Sequence, residues 1–90
     1  MPVIWPSKDP DEVLDFTVDW SARLDGDTIS TSAWTVPLGI TAGVDTKTAS
    51  TTTLWLSGGT LGSTYDIVNR IVTAGGRTMD QNLRLTIAEH

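Results

Sequence analysis

The sequence predicts an all-β protein: a β-sandwich of six or seven short antiparallel strands with an extended N-terminal arm. Three observations support this. Threonine, valine and isoleucine supply 15, 7 and 6 of the 90 residues, and β-branched side chains favour strands over helices. Turn signals recur about every 8–12 residues, as in sandwich domains. No apolar pattern with helical spacing continues for more than one turn.

Composition limits the chain to one small domain and excludes several classes of function. The formal net charge is -5, from 11 acidic and 6 basic residues, which argues against nucleic-acid binding. No cysteine is present, so disulfides and cysteine zinc sites are excluded, and His90 offers the only imidazole. No apolar run approaches the roughly 20 residues of a membrane span, and no secretory signal is visible. We expect a soluble protein without nucleic-acid or membrane partners.

The N-terminal twelve residues are expected to form the arm, and residues 13–90 the sandwich. Residues 1–12 hold three of the four prolines and an acidic cluster, and proline cannot donate to a β ladder. Trp5 lies outside any strand pattern and is expected either at an interface or docked on the edge of its own domain. Ile4 and Trp5 are therefore candidate contacts with a neighbouring chain.

The first strands follow the arm. The run 14–21 alternates apolar and polar residues, which predicts a half-buried strand. An Asp-Gly pair then predicts a tight turn into an antiparallel partner strand over 29–36. A bulge between positions 30 and 33 would turn both Ile29 and Trp34 toward the core.

The middle of the chain is less clearly patterned. Residues 38–50 could hold a short strand, and the hydroxyl-rich run 49–53 suits an edge strand or a surface loop. Leu54 and Leu56 then alternate with Trp55. If both leucines face the core, Trp55 faces away from it, where it would be an interface anchor unless a second packed layer covers it.

The last third predicts a central strand and a hairpin. Residues 65–72 carry apolar side chains on both faces, residues 74–77 form a turn, and residues 79–87 return antiparallel. The predicted core comprises the large apolar side chains on the inward faces of all these strands: Phe16, Val18, Trp20, Ile29, Trp34, Ile67, Ile71, Leu83, Leu85 and Ile87.

A tyrosine corner is expected where Leu56, a glycine-rich turn and Tyr65 precede the long strand. In such a corner the tyrosine hydroxyl bonds to upstream backbone while the ring packs beneath the turn. The stretch 56–77 resembles the end of an immunoglobulin-like or fibronectin type III-like domain.

No pattern points to catalysis or to a bound ion. The carboxylates lie on a polar strand face or in turns, where solvation and turn chemistry explain them. Asp25-Gly26-Asp27 and the acidic cluster at 9–12 lack the spacing of a calcium loop. The glycine pairs lack the lysine and the helix of a phosphate-binding loop. We expect no enzyme activity, no catalytic or metal-binding residues and no cofactor.

Three segments are more distinctive than composition explains: 8–21, 27–36 and 69–78. Together they resemble a family of small phage and prophage virion proteins with an immunoglobulin-like fold, usually called fiber-tail adaptor or small tail and neck structural proteins. The resemblance spans roughly residues 5–88. Phe16 stands where the family often has tyrosine, and residues 38–50 match least.

The resemblance implies a bacteriophage virion structural protein, an adaptor that joins tail, neck or baseplate to a fibre or a neighbouring ring. Its implied partners are other virion proteins, with many copies of this chain on a ring. Its implied location is the virion, made and assembled in the bacterial host cytoplasm. The residues leave one alternative, a carbohydrate-binding or adhesion sandwich with Trp55, Tyr65 or Trp5 as a sugar platform.

Overall fold

The computed structural model describes residues 3–89. Met1 and Pro2 of the predicted arm and His90 of the predicted sandwich lie outside these described residues. Seven strands and one helical turn are found there, and the all-β prediction is confirmed. In chain order they are β1 (Val3–Ile4), β2 (Leu14–Asp19), α1 (Ser21–Leu24), β3 (Ile29–Thr35), β4 (Ile40–Lys47), β5 (Thr51–Gly58), β6 (Thr64–Thr73) and β7 (Thr78–Thr86). Within residues 3–89, no helix has the length and hydrophobicity needed to cross a lipid bilayer.

The strands form two sheets that pack as a β-sandwich. The four-stranded sheet has the order β1-β7-β6-β3 and the three-stranded sheet the order β2-β5-β4. Neighbours are antiparallel, except that β1 runs parallel to β7. This is the strand pairing of a constant-type immunoglobulin sandwich, with the first strand placed beside the last strand instead of beside the second.

The core lies between the sheets and is built from alternate residues of their strands. It buries nine side chains chosen for the core from the sequence: Phe16, Val18, Trp20, Ile29, Ile67, Ile71, Leu83, Leu85 and Ile87. Trp34 is partly buried and packs against them. The core also takes in six side chains that the sequence analysis did not assign to it: Trp5, Leu24, Ile40, Leu54, and the two tyrosine-corner residues Leu56 and Tyr65.

The sequence predicts that the strand in 14–21 and the strand over 29–36 form a hairpin. This prediction is wrong, because the corresponding strands β2 and β3 lie in different sheets. The chain leaves β2 through α1, in which Leu24 N donates to Trp20 O at 3.1 Å. Asp25 then adopts a left-handed backbone conformation with φ of 49°. The Asp-Gly pair therefore ends a helical turn that carries the chain across to the other sheet. The predicted bulge in β3 is confirmed by a register shift between Ile29 and Thr31.

The hydroxyl-rich run 49–53 is neither an edge strand nor a surface loop over most of its length. Its last three residues begin β5, the central strand of the three-stranded sheet. Threonine suits this position because its hydroxyl finds partners on both faces: Thr53 Oγ1 lies 2.9 Å from Thr17 Oγ1 outside, while Thr52 is buried. Residues 40–47 form the edge strand β4, and the central strand β6 and the β6–β7 hairpin agree with their predictions.

Candidate protein-interaction surfaces

The described part of the predicted arm is packed onto the sandwich. Trp5 N donates to Arg84 O at 3.0 Å, which continues the pairing of β1 with β7. The Trp5 side chain is only 6% exposed, and its ring stacks on Phe16 with 4.9 Å between centroids. Burying an indole ring removes a large apolar surface from water, which favours this docked position. Trp5 is therefore a core residue of its own domain in this structure and not an exposed interface residue.

Lys8 fixes the end of the same segment, and nothing in the sequence pattern indicated this role. Its side chain is fully buried, and Nζ donates to Gly58 O at 2.7 Å and to Asp9 O at 2.8 Å. A buried ammonium is tolerated where its hydrogens meet such acceptors. The lysine thereby ties the N-terminal segment to the end of β5.

The two other interface candidates are exposed, but they lie on opposite faces of the sandwich. Ile4 is 69% exposed and pairs with Arg84 on the outer side of the four-stranded sheet. Trp55 is 40% exposed and lies opposite Asp15 on the outer side of the three-stranded sheet. The structure therefore does not bring Ile4 and Trp55 into one surface.

Tyr65 has the geometry of a tyrosine corner. Its hydroxyl accepts a hydrogen bond of 3.0 Å from the backbone N–H of Thr60, five residues upstream. The ring lies against Gly39, where an added Cβ would be 3.1 Å from the hydroxyl oxygen. Leu56, the other residue of the predicted corner, is fully buried in the core. The corner belongs to the scaffold and offers no exposed aromatic face.

Asp27, the second carboxylate of the Asp25-Gly26-Asp27 turn, organises the β6–β7 hairpin. Its carboxylate accepts hydrogen bonds from Thr28 N at 2.8 Å and Gly75 N at 3.0 Å, and pairs with Arg77 Nε at 3.3 Å. Hydrogen bonding from the Thr73 side chain, reinforced by these contacts, lowers the pKa of Asp27 from 3.8 to about 2. Among residues 3–89, no three acidic, histidine or cysteine side chains are grouped to hold a metal ion.

Charge is distributed unequally between the two outer faces. On the four-stranded sheet, Arg70 pairs with Asp80 at 2.7 Å and Arg84 with Asp66 at 3.1 Å. The three-stranded sheet carries exposed carboxylates on β2, including Asp15 beside Trp55. The two faces therefore offer different chemistry to partner proteins.

The free strand edges also differ. β1 has only two residues, and β2 carries aspartates at positions 15 and 19. β4 is interrupted by a bulge, because Gly43 and Val44 together lie opposite Trp55. β3 has seven residues without a charged side chain or a proline. Charges, short length and bulges protect an edge from strand addition. β3 has a bulge of its own between Ile29 and Thr31, but residues 31–35 beyond it are regular and uncharged, so this part of β3 is the least protected edge of the described chain.

Comparison with known proteins agrees with the resemblance seen in the sequence. Residues 8–86 match the sequence model of one family, described as podophage GP4 fiber-tail adaptor protein gp77. No curated protein matches the chain. Because the match covers most of the chain, including all strands except β1, this protein belongs to the podophage GP4 fiber-tail adaptor family.

Proposed function

We propose that this protein is a non-enzymatic virion component that joins the tail, neck or baseplate of a bacteriophage to a fibre or a neighbouring ring. The observation that carries the proposal is the family match over residues 8–86. Membership of a fiber-tail adaptor family gives a tail-associated adaptor role. The direct contacts with fibre and tail, and the absence of catalysis, are our proposal.

An adaptor must bind at least two partners, and the sandwich offers two separate faces for them. The outer face of the three-stranded sheet presents Trp55 beside Asp15. The outer face of the four-stranded sheet presents Ile4 beside Arg84, which forms an ion pair with Asp66. A partly exposed tryptophan is a typical anchor residue in protein interfaces. We infer that Trp55 contacts one virion partner and Ile4 another.

The adaptor role also implies where the protein is located and how many copies are present. We propose that many copies lie on a ring in the virion, and that assembly takes place in the host cytoplasm. A cysteine-free chain suits that reducing compartment. No cofactor, nucleic acid or membrane is needed for contacts of this kind.

The sugar-binding alternative has less support. A sugar platform needs exposed ring faces, but Trp5 is 6% and Tyr65 9% exposed. Of the three aromatic residues considered, only Trp55 remains available. The adaptor is therefore the function we carry forward.

The test is to delete the gene in its phage and complement it with tagged full-length protein. Gold-labelled antibody against the tag should mark one fixed site on the particle, and particles lacking the protein should lack fibres. Trp55→Ser or Ile4→Ser should reduce incorporation or fibre number, while Thr46→Ser on the exposed β4 should not. Removing residues 1–12 is unsuitable because it takes Trp5 and Lys8 out of the core. Unlabelled particles with folded protein free in the lysate would overturn the adaptor role.

A further inference from the structure

Trp55 lies at the centre of the outer face of the three-stranded sheet, here called the Trp55 face. It is the fifth of eight residues in β5, and β5 is the middle strand of the sheet. On one side it lies opposite Asp15 of β2, and on the other side opposite the β4 bulge of Gly43 and Val44. Trp55 and Val44 are both exposed, and they give the face an apolar centre.

Small polar side chains surround this apolar centre. Because side chains alternate along a strand, Thr53 and Ser57 point outward on either side of Trp55. The remaining outward residues of β2 and β4 are threonines, two aspartates and the two residues of the bulge. Trp55 is therefore the only aromatic side chain on the face. A central aromatic residue surrounded by small polar contacts is the usual arrangement of an interface hot spot.

The Trp55 face carries negative charge and no cation. Asp15 and Asp19 point outward from β2. Lys47 is the only lysine or arginine in β2, β4 and β5, and it pairs with the buried Thr52, which puts it on the other side of the sheet. The ion pairs found within residues 3–89 involve neither aspartate. The charge of Asp15, directly beside Trp55, is thus not balanced by a cation of the described chain.

We propose that the Trp55 face binds a basic surface of another virion protein, and that one arginine of this partner stacks on the Trp55 ring while it pairs with Asp15. This deepens the proposed function, in which Trp55 contacts a virion partner, and rests on it.

The spacing of the two residues suits a single guanidinium. Side chains directly opposite each other in antiparallel strands have Cβ atoms about 4.5–5.5 Å apart, and Asp15 and Trp55 are such a pair. A cation is attracted to an aromatic ring within about 6 Å of its centroid. Arginine fits better than lysine, because its planar group stacks on a ring and also forms two parallel hydrogen bonds to a carboxylate.

A second copy of this chain is a poorer occupant of the Trp55 face. Pairing two such faces would bring the aspartates of both copies together. The face of the four-stranded sheet offers no excess positive charge, because Arg70 and Arg84 are already paired with aspartates. Lys47 is exposed, but Asp45 lies two residues away on the same side of β4. With a net charge of -5, the chain complements a basic partner better than it complements itself.

The test is a competition for places on the particle. Cells infected with the deletion phage express untagged wild type together with a tagged variant. The tagged-to-untagged ratio in purified particles is divided by the ratio in the lysate, and tagged wild type sets the reference. Asp15→Arg should lower this relative incorporation at least about tenfold, since an attraction becomes a repulsion. Asp15→Glu keeps the charge and should stay within about twofold of the reference.

A matched charge reversal serves as the control. Asp45→Arg makes the same change in the same sheet, but on the side that faces away from the Trp55 face. It should leave relative incorporation within about twofold. Asp15 and Asp45 are both exposed, and unchanged thermal midpoints would show that both variants fold.

A second set of variants tests whether one arginine contacts both groups. Trp55→Leu keeps an apolar side chain without the aromatic ring and should lower relative incorporation at least about threefold, whereas Trp55→Phe keeps a ring and should lower it less. Asp15→Asn should also lower it. If both groups share one guanidinium, the double variant Asp15→Asn with Trp55→Leu should lose less than the product of the two single losses.

Several results would overturn the arginine contact and leave the adaptor role in place. Asp15→Arg or Trp55→Leu could be incorporated like the wild type, or Asp45→Arg could be lost as strongly as Asp15→Arg. Losses that multiply in the double variant would assign the two residues to separate contacts. Self-association of the purified protein that Asp15→Arg abolishes would assign the face to a second copy. Absence of the wild type itself from particles would instead overturn the adaptor role.

Discussion

Trp20 and Asn69 are joined across the two sheets: the indole Nε1 donates to Asn69 Oδ1 at 3.0 Å. Trp20 follows β2 of the three-stranded sheet, and Asn69 lies in β6 of the four-stranded sheet. Thr52 Oγ1 donates to the same oxygen at 2.6 Å, and Asn69 Nδ2 donates to Ser32 Oγ at 2.9 Å. A buried polar network with its members paired fixes how the two sheets face each other.

Replacing Asn69 with alanine should be strongly destabilising. The change leaves the buried Thr52 hydroxyl without its acceptor, at a cost of about 1–3 kcal/mol for a group left unpaired, and leaves Trp20 Nε1 with only its longer bond of 3.2 Å to Thr52 Oγ1. Denaturant unfolding measures the loss. Asn82→Ala, on the exposed face of β7, should change stability by less than about 0.5 kcal/mol. Equal effects of the two variants would contradict a structural role for the network.

Trp5→Ala should lower the free energy of unfolding by about 3–5 kcal/mol, the range for truncating a buried aromatic residue. The loss follows from its stacking on Phe16 and its burial within the domain. Trp55→Ala removes the same side chain from a partly exposed site and should cost clearly less. If Trp5→Ala and the wild type have the same free energy of unfolding, the N-terminal segment is not docked in the isolated protein.

Asp27 should make stability depend on pH in the acidic range. Its pKa is lowered from 3.8 to about 2 in the folded chain, so folding favours the ionised carboxylate. The resulting stabilisation is fully present above about pH 4 and is lost as the pH falls toward 2. The stability difference between wild type and Asp27→Asn should therefore shrink over that interval. A difference that stays constant from pH 6 to 2 would exclude this linkage.

Gly59→Ala should be more damaging than Gly62→Ala. Both glycines have positive φ, of 97° and 84°, so alanine is strained at either position by about 1–2 kcal/mol. Only at Gly59 does an added Cβ also meet a side chain, 2.8 Å from Cδ1 and Cγ1 of Ile87. Ile87 is buried and cannot easily move away, so overpacking adds about 1–3 kcal/mol. The thermal midpoints of the two variants measure this difference. Gly62→Ala reports the backbone strain alone, and the further decrease in Gly59→Ala reports the clash with Ile87.

The strands were predictable because their signal is local. The alternation in 14–21, the two apolar faces of 65–72 and the turn at 74–77 each follow from a period of two or from turn chemistry. These features placed β2, β6 and β7 and led to a sandwich. The family resemblance rests on the same segments and agrees with the match over residues 8–86.

The interaction surfaces were less accessible to prediction. Trp55 was expected to face outward from its alternation with two leucines, and it lies 40% exposed on the outer face. The open edge of β3 was not predicted, and neither was the exposure of Ala42, Asp45 and Lys47, which lie on the inward side of β4 because they pair with the buried Leu56, Leu54 and Thr52. Both depend on which strands neighbour each other, and residues 38–50 carry too weak a pattern to locate β4.

The sequence by itself determined the all-β class, most strand positions, the bulge in β3 and membership of an adaptor family. Only the tertiary structure decided that β2 and β3 separate into different sheets, that Trp5 and Lys8 belong to the interior, and that Asn69 lies between the sheets. The physical reason is range: strand formation and turns depend on neighbours a few residues away, whereas burial and sheet order depend on contacts between distant segments. Lys8 with Gly58, and Trp20 with Asn69, are such contacts, 50 and 49 residues apart in the chain.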